Sequence, residues 1–79
     1  MEKRQITENF YIVKTRDRIG GTISTNVYEK EGHFEAYSCY AQDEDEAIVG
    51  FAESIYDEEA VKRSRKELRK EWKAEHLKV

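Results

Sequence analysis

Between residues 10 and 41 apolar and polar positions follow one another in short runs separated by turn signals, the pattern of half-buried β-strands. Phe10, Tyr11, Ile12 and Val13 form an apolar run rich in β-type residues, closed by Lys14-Thr15-Arg16, and predict a first strand. Asp17-Arg18-Ile19-Gly20-Gly21 follows, where paired glycines supply the positive φ angles of a tight reversal. Thr22 to Lys30 alternates, with Ile23, Thr25 and Val27 on one side and Ser24, Asn26 and Tyr28 on the other. Glu31-Gly32 marks the next turn. His33 to Ala41 alternates again, placing Phe34, Ala36, Ser38 and Tyr40 opposite Glu35, Tyr37 and Cys39. Three strands on short turns predict an antiparallel meander over 10–41, with residues 1–8 a polar, frayed lead-in.

From Asp43 the period lengthens. Ile48, Phe51, Ala52 and Ile55 fall at i, i+3, i+4 and i+7, one face of a helix over 43–56. Asp43 and Glu46 are spaced like a capping box at its start. A second helix over 58–78 follows, with Asp57 as its N-cap and Tyr56 and Val61 as a hydrophobic staple; a single long helix is the alternative. The expected fold is α+β, β-β-β-α-α in one small domain, with Ile12, Ile23, Val27 and Phe34 facing the helices. In the last helix Val61, Leu68, Trp72 and Val79 lie within about 40° of one another, a seam much narrower than an ordinary core-facing stripe.

Composition narrows the class. Seventy-nine residues make one domain with a small core. Hydrophobic residues are 38% and charged residues 39%, close to the disordered regime, but nine aromatics and clear periodicity predict a folded chain. No apolar run has the length of a membrane span, no apolar signal segment follows Met1, and Cys39 has no second cysteine to pair with; a cytoplasmic protein is expected.

Charge is distributed far less evenly than its net value of −3 implies. Residues 43–59 hold eight acids and no base, and residues 62–73 hold seven bases against two acids. The acids predict an electrostatic face for a basic protein partner, carried by Glu46, Glu53, Asp57, Glu58 and Glu59; acids at helix starts also satisfy the macrodipole. Lys62, Arg63, Lys66, Arg69, Lys70 and Lys73 form the alternative, a row able to track phosphates. Tyr11, Tyr28 and Tyr37 are expected to share the far face of the sheet and, with Trp72, to serve as interface aromatics.

Catalytic and metal chemistry finds no motif. His33, His76 and Cys39 fall on separate elements without ligand spacing, Ser38 has no base-orienting motif, and Gly20-Gly21 lacks the Lys-Ser/Thr of a phosphate loop. Neither an enzyme, a metal nor a cofactor is expected.

Three strands followed by a helix containing Asp45-Glu46-Ala47-Ile48 resemble the small β-β-β-α modules of HicB-type antitoxins and integrase N-terminal arms, over residues 10–56. The chain has no proline and so lacks the Pro-Gly-Cys segment of the HicB pattern; the resemblance carries no function over. Size, charge and an aromatic-rich meander are also similar to phage-encoded inhibitors that bind and block. The function expected is a non-enzymatic protein-binding module, a small phage-type inhibitor or regulator working by occlusion through its acidic helix face. The alternatives are a nucleic-acid-binding module on the basic helix and a homodimer through Val61, Leu68, Trp72 and Val79.

Overall fold

The computed structural model describes residues 2–17, 21–42 and 48–76. Five antiparallel strands form one sheet in chain order, β1 (Glu2–Thr7), β2 (Phe10–Asp17), β3 (Gly21–Lys30), β4 (His33–Tyr40) and β5 (Gly50–Ser54), and one helix, α1 (Asp57–His76), follows. This corrects the expected three strands and two helices at both ends.

The lead-in is an edge strand. Glu2, Lys3, Arg4 and Gln5 pair with Lys14, Val13, Ile12 and Tyr11, and the register slips before Thr7 meets Phe10. Residues 3–7 are exposed, so neither face of β1 shows hydrophobic alternation. Charged side chains on an outer strand also discourage edge-to-edge pairing with other chains.

The segment expected as the core helix is β5. Gly50, Ala52 and Ser54 lie opposite Ser38, Ala36 and Phe34 and share their face, whereas Phe51 and Glu53 lie opposite Tyr37 and Glu35 on the other. Its inward side chains are small because α1 rests on them. A Cβ on Gly50 would come within 2.3 Å of the Leu68 amide nitrogen and of the Ser64 carbonyl oxygen. With that segment a strand, the likeness to β-β-β-α modules no longer holds. Asp43 and Glu46 lie outside the described residues.

The core lies between α1 and the inner face of β2 to β5, in two apolar clusters. Val13, Val27, Ala36, Ala60 and Val61 make one, bordered by Tyr11 and Phe34; Ile23, Tyr40 and Leu68 make the other, bordered by Ile48 and Trp72. Thr25, Ser38 and Ser64, all buried, interpose a line of hydroxyls between them. Thr25 Oγ1 is 2.7 Å from Ser38 Oγ, Ser38 Oγ is 2.7 Å from Ser64 Oγ, and Ser64 donates to the Val61 carbonyl at 2.9 Å. Each hydroxyl has one proton, so the donation runs from Thr25 to Ser38 to Ser64 to the helix backbone.

The thin seam is thereby explained. Ala60, Ser64 and Leu68 are buried against the sheet, where Gly50 lets the helix backbone come close at Ser64 and Leu68, and a narrow contact suffices where backbones approach closely. Val61 is 6% exposed and Leu68 fully buried, so these two seam residues belong to the chain's own core and are not available to a second copy. Trp72 packs edge-on to Tyr40 with ring centroids 4.6 Å apart, and Val79 lies outside the described residues. No helix among the described residues is long and apolar enough to cross a membrane.

Candidate functional site

With α1 on one face, the opposite face of the sheet is left open, and the register decides what it carries. Phe10, Ile12 and Lys14 of β2 face the same way as Tyr28, Asn26 and Ser24 of β3, because each pair is directly opposed. His33, Glu35, Tyr37 and Cys39 of β4 and Phe51 and Glu53 of β5 complete that face. The face expected for Ile12 is therefore corrected: Val13, not Ile12, enters the core. Four apolar residues in a row hide the alternation that would have revealed this.

Four aromatic rings cross the open face as a ladder. Phe10 and Tyr28 are stacked at 4.6 Å with an interplanar angle of 12°, Tyr28 and Tyr37 meet edge-on at 5.8 Å, and Tyr37 and Phe51 are tilted at 4.9 Å. The Lys30 ammonium lies 5.8 Å from the centre of the Tyr28 ring. Tyr28, Lys30, Glu35 and Tyr37 enclose a shallow depression of about 270 Å³. The ladder ends on the edge strand β5 at Phe51, which is exposed; the other large apolar side chains exposed among the described residues are Ile6 on β1, Val49 just before β5, and Ile55 and Tyr56 just after it.

Beside Tyr37, three ionisable groups converge. His33 Nε2 is 3.4 Å from Glu35 Oε2 and 3.6 Å from Glu53 Oε2. His33 Nδ1 donates to the Glu31 carbonyl at 3.1 Å; a carbonyl can only accept, so this nitrogen carries the proton. Tyr37 donates to Glu35 Oε1 at 3.1 Å. The Glu31 hydrogen bond first, then the Glu35 and Glu53 carboxylates, raise the His33 pKa above its ordinary 6.5. Glu35 and Glu53 are direct cross-strand partners, an unfavourable pairing of like charges that a cationic neighbour relieves. Metal-ligand atoms of His33, Glu35 and Glu53 all lie within 4.8 Å of one another. Spacing of His and Cys alone does not show this cluster, since two of its three members are glutamates and Glu53 comes beside Glu35 only when 50–54 is a strand.

The expected acidic face is dispersed. Glu53 is on the open face of β5, Asp57 is turned toward the helix side, where it accepts from Tyr11 at 2.8 Å and from the Glu58 amide, and Glu59 pairs with Arg63. Asp57, Glu58 and Glu59 fill the first turn of α1, where the macrodipole favours them. Glu46 lies outside the described residues. Tyr11 is likewise corrected: opposite Val27, it faces α1, with Lys3 Nζ 4.3 Å from its ring centre. Burial, then the Asp57 hydrogen bond, raises its pKa.

On α1, Lys62, Arg63, Lys66, Lys70 and Lys73 are exposed. Arg69 departs from that row, its Nε reaching Asp17 Oδ1 at 3.4 Å, while Tyr40 donates to Asp17 Oδ2 at 2.7 Å. The Asp17 side chain is only 8% exposed, so this is a structural anchor between the end of β2 and the helix.

The fold and site thus define a one-layer antiparallel sheet backed by a single helix, with an aromatic face turned outward. Comparison with protein-family models, with curated proteins and with solved structures finds no match to the chain.

Proposed function

We propose that the chain is a non-enzymatic protein-binding module that docks through the open face of its sheet and acts by covering the surface it binds. The observation that carries this is the ladder of Phe10, Tyr28, Tyr37 and Phe51 on the face away from the helix, ending at the exposed Phe51 on the edge strand. Aromatic anchors surrounded by polar groups supply most of the binding energy of protein interfaces. Glu35 and Glu53 border Tyr37 and Phe51, which favours a partner whose apolar patch is edged by Lys or Arg on that side. The basic partner inferred from charge is retained, but the acids that meet it are on the sheet and not along a helix.

Ring geometry favours protein over nucleic acid on this face. Phe10 and Tyr28 cover one another, and Tyr37 meets its neighbours edge-on or tilted, whereas bases stack on an uncovered ring face. A phosphate-tracking role for Lys62, Lys66, Lys70 and Lys73 has their exposure in its favour, but Glu67 and Glu71 interrupt the same helix.

Affinity capture from the native host separates these readings when performed with the parent chain, Phe51→Glu, Tyr37→Ala and the double variant Lys66→Glu/Lys70→Glu. The expected result is a basic-edged protein held by the parent and the helix variant and reduced at least about tenfold by Phe51→Glu, an anchor-sized loss of over 1.4 kcal/mol. Partner retention by Phe51→Glu with loss on the helix variant contradicts the proposal. So does a low-salt gel shift that the helix variant abolishes. Light scattering shows whether the face instead pairs two copies of the chain.

A further inference from the structure

We propose that His33, Glu35 and Glu53 form a binding site for a divalent transition-metal ion, with Zn²⁺ the ion their geometry suits best. The site lies on the same open face as the docking surface, but it rests on ligand geometry and not on the aromatic ladder. A tetrahedral Zn²⁺ with bonds of about 2.0–2.2 Å holds neighbouring ligand atoms roughly 3.3–3.5 Å apart. His33 Nε2 already lies 3.4 Å from Glu35 Oε2 and 3.6 Å from Glu53 Oε2. The Glu35 contact is a long hydrogen bond and the Glu53 contact is longer still, both beyond the roughly 2.7–3.2 Å of a good N–H···O hydrogen bond.

The second observation is how the ligands are held. A metal-binding histidine characteristically donates its other ring N–H to a carbonyl or carboxylate, which fixes the tautomer and aims the lone pair. His33 Nδ1 does this with the Glu31 carbonyl at 3.1 Å, leaving Nε2 directed at the two glutamates. Tyr37 holds Glu35 Oε1 at 3.1 Å, which leaves Oε2 for the ion. The backbone is equally fixed: His33 and Glu35 are two residues apart on β4, and Glu53 is the register partner of Glu35 on β5. Of the two carboxylates, Glu53, 59% exposed against 23% for Glu35, is the freer to adjust as the site closes. The fourth position falls to water.

One nitrogen with two carboxylate oxygens suits Zn²⁺ better than Mg²⁺ or Ca²⁺, which take oxygen ligands and higher coordination numbers. Ligation would join β4 to the edge strand β5 across their backbone pairing and neutralise the opposed Glu35 and Glu53. Zn²⁺ binding the folded chain alone would then raise its unfolding temperature in a concentration-dependent way.

Calorimetric titration and thermal unfolding of the full chain with ZnCl₂ test the site. One equivalent is expected to bind with a micromolar dissociation constant and to raise Tm, unchanged in a Cys39→Ser/His76→Ala background that removes other Zn²⁺ ligands. His33→Ala and Glu53→Gln, at partly exposed positions and checked for folding by circular dichroism, should each weaken binding at least about tenfold; Tyr37→Phe should weaken it less, through Glu35. Absence of saturable binding, Zn²⁺ affinity unaltered in folded His33→Ala or Glu53→Gln, or equal affinity for Mg²⁺ or Ca²⁺ would overturn the assignment.

Discussion

Tyr40 and Asp17 show how single side chains tie the sheet to the helix. Tyr40 is 1% exposed and its hydroxyl donates to Asp17, which Arg69 also approaches. Burial, then the hydrogen bond to a carboxylate, pushes the Tyr40 pKa up to about 12, and Tyr11 is raised in the same way beside Asp57. Between the ordinary tyrosine value of about 10 and these raised values, the unfolded chain loses phenolic protons that the folded chain keeps, so stability falls as pH rises. Below about pH 10 the contribution is fully present. Urea midpoints measured from pH 8 to 11.5 should therefore decline above pH 10, and Tyr40→Phe should flatten that decline at some cost to stability at neutral pH. A Tyr40→Phe profile parallel to the parent's would remove Tyr40 from this account. At the same scale, the partition of Tyr28 and Tyr37 from Phe34 and Tyr40 was legible in the sequence, because β3 and β4 alternate strictly. Tyr11 was not: with Phe10, Tyr11, Ile12 and Val13 all apolar, only the pairing of Tyr11 with Val27 shows which face it takes.

Among the elements, β5 was concealed by the small residues that make it useful. Gly50, Ala52 and Ser54 turn toward α1, so the strand lacks an apolar inner stripe, while Ile48, Phe51, Ala52 and Ile55 coincide with a helical period. Gly50 was the available signal, since glycine inside a helix costs about 1 kcal/mol and has a use where two backbones approach. β1 escaped notice for the opposite reason, being an edge strand with no buried face. The start of α1 was legible from Asp57 and the acids behind it, and the helix extends to His76. The seat of α1 on Gly50 makes a signed prediction. Alanine at an unobstructed strand position is favoured over glycine, but here its Cβ would meet Ser64 and Leu68 backbone atoms at 2.3 Å. Gly50→Ala should therefore destabilise by about 1–3 kcal/mol, lowering Tm by roughly 4–8 °C per kcal/mol in a domain of this size. An unchanged or higher Tm would mean that the helix does not rest there.

Over the whole molecule, the sheet separates two kinds of chemistry. Its inner face is occupied by α1, two small apolar clusters and a directed line of hydroxyls; its outer face carries aromatic rings and the His33, Glu35 and Glu53 cluster. Local structure takes up part of the charge division among the described residues, with Asp57, Glu58 and Glu59 in the first turn of α1, Arg63 paired to Glu59 and Arg69 drawn to Asp17, while Lys62, Lys66, Lys70 and Lys73 stay exposed. The partner surface proposed above is the open face of the sheet. Hydrogen–deuterium exchange of the chain with and without its captured partner tests this most directly, because exchange of the β5 amides and of the β4 turn reports on the aromatic face independently of α1. Slowed exchange over residues 31–37 and 49–56, with residues 62–73 unaltered, is the predicted outcome; protection confined to residues 62–73 would contradict it.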